Sequence, residues 1–183
     1  MPTLTVIAGP NGAGKPTLTQ FVDFEGRDRL LYPDTIARDL SPLNPRAAAM
    51  AAGRELLRRT ADYLNWGVSF AVETTLSGRN RVDLIRKAKF GGYEIHLVSI
   101  GLDSPELCIT RIRNRAARGS HFIPDADVRR RYARSAANAA QALRSADVAK
   151  FYENSGDGAR LVLVANAGIV VWQAEPVPVW VRL

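Results

Sequence analysis

Two adjoining stretches near the start of the chain decide the fold: the apolar run Thr3-Leu4-Thr5-Val6-Ile7-Ala8 and the loop Gly9-Pro10-Asn11-Gly12-Ala13-Gly14-Lys15. The run predicts a buried strand, and apolar side chains at helical spacing after the loop predict a helix that begins near Lys15. The loop between them matches the phosphate-binding pattern G-x-x-x-x-G-K. Its glycines let backbone N–H groups approach phosphates, and its lysine reaches the β- and γ-phosphates. A glycine-rich turn without a ligand is the alternative interpretation.

The eighth position of this pattern is Pro16 rather than serine or threonine. The missing hydroxyl normally coordinates Mg²⁺, and Thr17 is a poor substitute because one further helical residue turns the side chain by ~100°. Proline is tolerated in a first helical turn, so the fold should survive. We expect the nucleotide to bind and Mg²⁺ binding and Mg²⁺-dependent turnover to be weakened. The predicted nucleotide-binding residues are Gly9, Pro10, Asn11, Gly12, Ala13, Gly14, Lys15, Pro16 and Thr17.

Composition limits the class of protein. With 183 residues, 46% hydrophobic and 23% charged, the chain is long and apolar enough for one globular core, which excludes a disordered chain or a disulfide-stapled miniprotein. A single cysteine and no signal-peptide pattern predict a cytoplasmic location, and no apolar segment approaches the ~20 residues that would span a membrane. The net charge is +7, and 21 of the 25 basic residues are arginine. Arginine suits phosphate-bearing partners.

Short apolar runs alternate with longer helical segments, which is typical of an α/β fold with a mostly parallel sheet. Further strands are predicted at residues 29–32, 68–72 and 93–100. Helices are predicted at 46–66, 79–90 and 105–118, with a long helix at 125–151. Residues 160–164 and 169–172 flank a turn and predict a β-hairpin, and residues 179–181 form an edge strand at most.

Two predicted strands end in carboxylates. Asp34 follows the second strand, where it could accept a proton from an attacking hydroxyl, or could simply cap the next helix. Glu73, Thr74 and Thr75 follow the third strand and are predicted to bind substrate, with Glu73 also able to hold a metal through water. A surface carboxylate at a strand end is the alternative for Glu73.

Residues 111–134 contain eight arginines. Arg111, Arg115 and Arg118 share one helical face, and Arg131 lies on the next helix. Such a helix pair could close over a nucleotide and place guanidinium groups on the transferring phosphoryl. We predict this role for Arg115, Arg118 and Arg131, with Arg111 in reserve; ordinary solvated charge is the alternative. His121, in the loop between the helices, is predicted to contact substrate, and no Cys/His cluster indicates a structural metal.

Four separated motifs resemble those of the zeta-toxin family of P-loop kinases. They are IAGPNGAGK at residues 7–15, YPDTIA at 32–37, ETTLSG at 73–78 and GSHFIP at 119–124, with further similarity at 130–135 and 151–155. Pro16 and Ser120 depart from the family pattern. The resemblance implies one three-layer P-loop NTPase/kinase domain over residues 1–183, with a helical lid at about 111–134 and a C-terminal β-hairpin at about 160–172.

The same resemblance implies the activity. Zeta toxins are ATP-dependent kinases, so the family predicts ATP and Mg²⁺ as cofactors and transfer of the γ-phosphoryl group to an alcohol group of a small metabolite. A UDP-N-acetyl sugar is the acceptor of the characterised toxins, and an antitoxin protein is an implied partner.

Two other functions remain open from the sequence. A polynucleotide or nucleoside kinase would use the same loop and basic helices. An arginine-rich nucleotide- or nucleic-acid-binding protein without catalysis is the other, although Phe122 and Tyr132 are the only aromatic residues among the arginines, too few for a stacking platform. Nucleic acid is therefore the less favoured partner.

Overall fold

A seven-stranded sheet organises the part of the chain that the computed structural model describes, residues 1–119 and 122–181. The strands are β1 (Thr3–Ala8), β2 (Leu30–Leu31), β3 (Phe70–Thr74), β4 (Glu94–Gly101), β5 (Val148–Glu153), β6 (Arg160–Asn166) and β7 (Ile169–Gln173). The helices are α1 (Lys15–Phe21), α2 (Pro33–Leu40), α3 (Ala49–Trp66), α4 (Arg79–Phe90), α5 (Pro105–Ala117) and α6 (Asp125–Leu143). Two single 3₁₀ turns, Arg27–Arg29 and Val179–Val181, complete the described elements. Within these residues, no helix is both long and apolar enough to cross a membrane.

The strand order is β2-β3-β1-β4-β5-β6-β7. The first five strands pair in parallel, and the β5–β6 and β6–β7 pairs are antiparallel. β1 is central: Ile7 pairs with Glu73 on β3 to one side and with Val98 on β4 to the other. The chain therefore passes to one side of β1 through β2 and β3 and crosses to the other side at β4. Open parallel sheets bind ligands outside such a switch point, and the glycine-rich loop (residues 9–15) leaves β1 there.

Side chains alternate between the two faces of the sheet and give two helical layers. Leu4 and Val6 face the cluster that α3, α4 and α6 cover, whereas Ile7 faces the cluster formed with α1 and α5. All three side chains are buried, and apolar burial contributes roughly 25 cal/mol per Å² removed from water. The predicted three-layer α/β fold with its mostly parallel sheet is confirmed.

Several helix ends follow local sequence signals. α3 stops at Gly67, which has the left-handed φ of 62° that glycine adopts without strain. α2 and α5 each begin with a proline, where a missing N–H costs no helical hydrogen bond. Ser104 caps α5, because its side-chain oxygen accepts a hydrogen bond of 3.2 Å from the Leu107 N–H.

The predicted long helix at residues 125–151 is wrong. α6 ends at Leu143, and residues 148–153 form β5, which pairs with β4 on one side and β6 on the other. The alanine-rich sequence favours helix locally, but Ala149 and Phe151 are buried in the sheet, and two sets of ladder hydrogen bonds outweigh a propensity difference of under about 1 kcal/mol per residue.

Two smaller differences concern β3 and residues 179–181. β3 starts at Phe70 rather than at residue 68 and extends to Thr74, so Glu73 and Thr74 belong to the strand rather than following it. The predicted hairpin is confirmed as β6 and β7, whose turn places Ala167 and Gly168 at φ 48° and 76°, as a two-residue hairpin requires. Residues 179–181 form a 3₁₀ turn rather than an edge strand.

Candidate functional site

A cleft of about 680 Å³ opens where the parallel strands β1 and β3 end. It lies at the switch point of the sheet, the position expected for a ligand site. The predicted residues that line it are Asn11, Gly12, Gly14, Lys15, Pro16, Thr17, Asp34, Glu73, Thr74, Thr75, Arg115 and Arg131. The fold therefore brings together the loop, both candidate carboxylates and two of the three candidate catalytic arginines.

Gly12 and Gly14 of the loop lie so close to neighbouring segments that a side chain at either position would force those segments to shift. A Cβ at Gly12 would lie 2.9 Å from the Cys108 carbonyl oxygen, and one at Gly14 would lie 2.6 Å from Asn154 Nδ2. Asn154 also donates from Nδ2 to the Ala13 carbonyl oxygen at 2.8 Å, which fastens the loop to the segment after β5. The first-turn N–H groups of α1 lack helical acceptors and form a positive end suited to anions.

Lys15 is buried at the base of the cleft. Its Nζ donates to the carbonyl oxygens of Gly9 (2.9 Å) and Pro10 (3.2 Å) and lies 3.8 Å from Glu73 Oε1. Burial lowers the pKa of Lys15, and the neighbouring Glu73 carboxylate opposes that shift. Burial likewise raises the pKa of Glu73, against the effect of Lys15. The loop carbonyls and Glu73 thus hold the positive charge of Lys15 at the base of the cleft, beside the glycine-rich loop.

Pro16 is the second residue of α1 and does not prevent the helix, which begins at Lys15 as predicted. Its ring is exposed at the cleft and provides neither a hydroxyl group nor an N–H donor. Thr17, the next residue, also lines the cleft and carries the hydroxyl group that is closest to Pro16 in the sequence. Any cation at this end of the cleft therefore meets a site without the usual serine or threonine ligand.

Asp34 lies in the first turn of α2 and is exposed in the cleft. Tyr32 occupies the N-cap position of this helix, so the alternative prediction that Asp34 is the N-cap is wrong. Tyr32 donates from its hydroxyl to Asp34 Oδ2 at 3.1 Å. Burial, together with the negative charges of Glu73 and Asp34, raises the pKa of Tyr32, so the phenol stays protonated and continues to donate.

The residues at the end of β3 form the side of the cleft next to the loop. The Thr74 carbonyl oxygen accepts from the Gly9 N–H at 3.2 Å, and its hydroxyl oxygen accepts from the Leu76 N–H at 3.0 Å. Thr75 and Ser77 share a hydrogen bond of 2.8 Å between their hydroxyl oxygens. This network holds Glu73 and Thr75 against the glycine-rich loop.

Three arginines of α5 and α6 face the cleft. Arg111 donates to the Asn154 carbonyl oxygen at 2.8 Å, and Arg131 donates to Asn11 Oδ1 at 3.4 Å. Arg115 is exposed and lines the same space. Arg111, held in reserve in the sequence prediction, is thus placed with the other two.

Other predicted residues lie elsewhere. Arg118 is exposed at the C-cap of α5 and is not among the residues that line the cleft. Arg113 pairs with Asp125 at 2.5 Å and Arg129 with Glu106 at 3.1 Å, so these arginines tie α5 to α6. His121 lies outside the described residues.

Sequence reasoning missed three residues of the site. Tyr32 and Asn154 lie in the segments that resemble zeta toxins, but no role was predicted for either residue. Arg81 stands in the first turn of α4, three residues after the ETTLSG motif, and lines the cleft. Arg81 could have been predicted from its position, since the segment between β3 and α4 leaves the edge of the sheet at which ligands bind.

Comparisons with known proteins support the fold. No protein-family model matches the chain. An uncharacterized protein of Haemophilus influenzae is 35% identical over 124 residues, which cover 68% of this chain and 88% of that protein.

Two solved structures share most of the architecture. The AvrRxo1-ORF1:-ORF2 complex with ATP matches 93% of this chain with a TM-score of 0.71 and 16% identity, and this chain spans 60% of its matched chain. The PezAT chromosomal toxin-antitoxin system of Streptococcus pneumoniae matches 92% of this chain, and 76% of its own, with a TM-score of 0.63 and 15% identity. The fold expected from the resemblance to zeta toxins is thereby confirmed.

Proposed function

The chain belongs to the family of the uncharacterized Haemophilus influenzae protein, and we propose that it binds ATP and transfers the γ-phosphoryl group to a hydroxyl of a small metabolite. One observation carries this proposal: the loop lysine, two carboxylates and four arginines line a single cleft. Phosphoryl transfer requires this combination, because a proton must leave the attacking hydroxyl while negative charge on the phosphates is neutralised.

The residues divide naturally between these tasks. The loop N–H groups and Lys15 would bind the β- and γ-phosphates, and Arg115 and Arg131 would face the transferring group. Asp34, exposed in the cleft, would accept the proton of the attacking hydroxyl. The Tyr32 hydroxyl donates to one oxygen of Asp34, which leaves the other oxygen to receive that proton.

Mg²⁺ is the cation that this chemistry implies, and the cleft fits it only in part. Among the described residues, no three His, Cys, Asp or Glu side chains group together as metal ligands, but Mg²⁺ usually takes one or two carboxylates together with substrate phosphates. Glu73 and Thr17 would hold the ion, which would neutralise phosphate charge there. Pro16 removes the usual hydroxyl, so we propose that it weakens Mg²⁺ binding and turnover.

The proposed acceptor and the proposed protein partner rest on the resemblance to zeta toxins rather than on the geometry of the cleft. A UDP-N-acetyl sugar is the first acceptor to test, and an antitoxin is the first protein partner, since the matched PezAT structure is a toxin-antitoxin system. We place the reaction in the cytoplasm, where ATP and a free thiol such as Cys108 are both maintained.

Restoring the hydroxyl tests the role of Pro16. We expect the parent and Pro16→Ser to bind the ATP analogue AMP-PNP with affinities within about threefold, because the loop and Lys15 are unchanged. Turnover in Pro16→Ser should rise at least about tenfold, the equivalent of about 1.4 kcal/mol of transition-state stabilisation. Titration calorimetry measures the first quantity, and transfer of labelled γ-phosphate to a metabolite pool that includes UDP-N-acetylglucosamine measures the second.

Pro105→Ser is the matched control, since it replaces a proline in the first turn of α5, outside the cleft lining. Its turnover should equal that of the parent. Equal turnover in parent and Pro16→Ser would contradict the role of Pro16. Failure of both to bind AMP-PNP would contradict the proposed function itself.

A further inference from the structure

Arg81 differs from the other cations of the cleft in where it comes from. Lys15 belongs to the glycine-rich loop, and the remaining arginines belong to α5 and α6. Arg81 instead enters from the first turn of α4, directly after the segment that carries Glu73, Thr74 and Thr75. The proposed nucleotide contacts therefore do not account for it.

Arg81 also differs in having no partner. Among the side chains that the structure describes, no carboxylate lies within ion-pair distance of its guanidinium and no hydrogen bond satisfies it, whereas Lys15, Arg111 and Arg131 each have acceptors. Arg115 also has no partner among the described residues, but it is exposed, whereas Arg81 is half-buried.

An unpaired, half-buried guanidinium is unfavourable. Burial lowers the pKa of Arg81, and no neighbouring charge offsets this effect. Arginine nevertheless keeps its proton in proteins, so the group remains a desolvated cation, which is costly without an anion beside it. A ligand that carries an anionic group into the cleft would supply the missing partner.

We infer that Arg81 binds an anionic group of the acceptor and so selects acceptors that carry a phosphate or diphosphate near the reacting hydroxyl. The inference rests on the proposed function. The planar guanidinium offers two parallel N–H donors that match phosphate oxygens. In the proposed function, the phosphates of ATP bind to Lys15, the loop and the arginines of α5 and α6. Arg81 is therefore available to bind the second substrate.

Calorimetry on protein saturated with AMP-PNP and Mg²⁺ tests the inference, with inorganic pyrophosphate as the anionic probe. Because a charge-assisted hydrogen bond is lost, Arg81→Gln should bind pyrophosphate about tenfold to a hundredfold more weakly than the parent. Arg81→Lys keeps the positive charge but loses the two parallel N–H donors, so its pyrophosphate affinity should lie between those of the parent and Arg81→Gln. The AMP-PNP affinity should stay within about twofold of the parent value in both variants.

Arg86→Gln is the matched control, because Arg86 lies on the same helix, is exposed, pairs with Asp83 at 3.5 Å and does not line the cleft. It should bind pyrophosphate as the parent does. Equal pyrophosphate affinity in Arg81→Gln and the parent, or no binding by the nucleotide-loaded parent, would overturn the inference. A fall in AMP-PNP affinity alone would assign Arg81 to the nucleotide and would overturn it too.

Two further readouts separate the possible failures. Circular dichroism establishes that each variant is folded, and Arg81→Lys provides the comparison if Arg81→Gln does not fold. Absence of AMP-PNP binding in the parent would refute the proposed function and the inference together. Intact AMP-PNP binding without an effect of Arg81 on pyrophosphate would refute the inference alone.

Discussion

At the scale of single residues, Asp34 is the group on which the proposed reaction depends most directly. In a Pro16→Ser background, Asp34→Asn should lower kcat by about 10²- to 10⁴-fold, the usual effect of losing a general base, with little change in ATP affinity. The amide keeps the shape of the side chain and its contact with the Tyr32 hydroxyl, but it cannot accept the proton. Steady-state transfer of labelled phosphate gives kcat, and calorimetry gives the affinity. Asp39→Asn, exposed on the same helix, should leave both unchanged; undiminished turnover in Asp34→Asn would exclude it as the base.

At the scale of elements, Asp147 connects three of them at the start of β5. Its carboxylate accepts from the Ile95 N–H on β4 at 2.9 Å and pairs with Lys89 on α4 at 2.5 Å. Burial raises the pKa of Asp147, but these two donors outweigh burial, and the pKa falls below the ordinary 3.8. The carboxylate therefore stabilises the fold above pH 3.8, and this contribution is lost as the pH falls through the lowered pKa.

Asp147→Asn should reduce the free energy of unfolding at pH 7 by about 1 kcal/mol, since the pair is partly exposed and solvent screens it. The difference from the parent should shrink in acid, because the parent carboxylate is then protonated. Urea unfolding at pH 7 and at successively lower pH measures both. Asp83→Asn, which breaks an exposed pair on α4, should change stability by under about 0.5 kcal/mol. A constant difference at all pH values would contradict the electrostatic origin.

At the scale of the whole molecule, the C-terminal segment closes the core. The Trp180 ring stacks on Phe151 with centroids 6.0 Å apart, and it covers Gly101 so closely that a Cβ there would overlap the ring. Its buried Nε1 has no hydrogen-bond partner in the described part of the chain. Trp180→Ala should cost about 2–4 kcal/mol of unfolding free energy through the cavity it leaves, whereas Trp180→Phe should cost under about 1.5 kcal/mol.

Denaturant unfolding followed by circular dichroism measures these costs without relying on tryptophan fluorescence. Trp172→Ala on the exposed strand β7 is the matched control, because Trp172 is 47% exposed, and it should cost well under the Trp180 value. A loss for Trp180→Ala as small as that expected for Trp172→Ala would show that the C-terminal segment does not contribute to the core.

The sequence predicted the fold and most of the residues that line the cleft, because the signals for both are local or follow from the parallel sheet. The strand, glycine-rich loop and helix at residues 3–21 are encoded within one window. Asp34 and Glu73 could be placed together because parallel strands end at one edge. β5 was mistaken for helix, since its pairing with β4 and β6 is non-local and outweighs local propensity. Arg118, at the C-cap of α5, is not among the residues that line the cleft, so its proposed role stays a prediction.

The sequence by itself therefore determined the class of fold, the phosphate-binding loop and the absence of a hydroxyl at Pro16, because each depends on residue identity within a short segment. The tertiary structure alone decided which charges meet. It paired Lys15 with Glu73, joined Arg111 to Asn154 and placed Arg81 at the cleft without a partner among the described residues. Partners such as these lie up to tens of residues apart in the chain, and only the packing of helices onto the sheet brings their side chains within bonding distance.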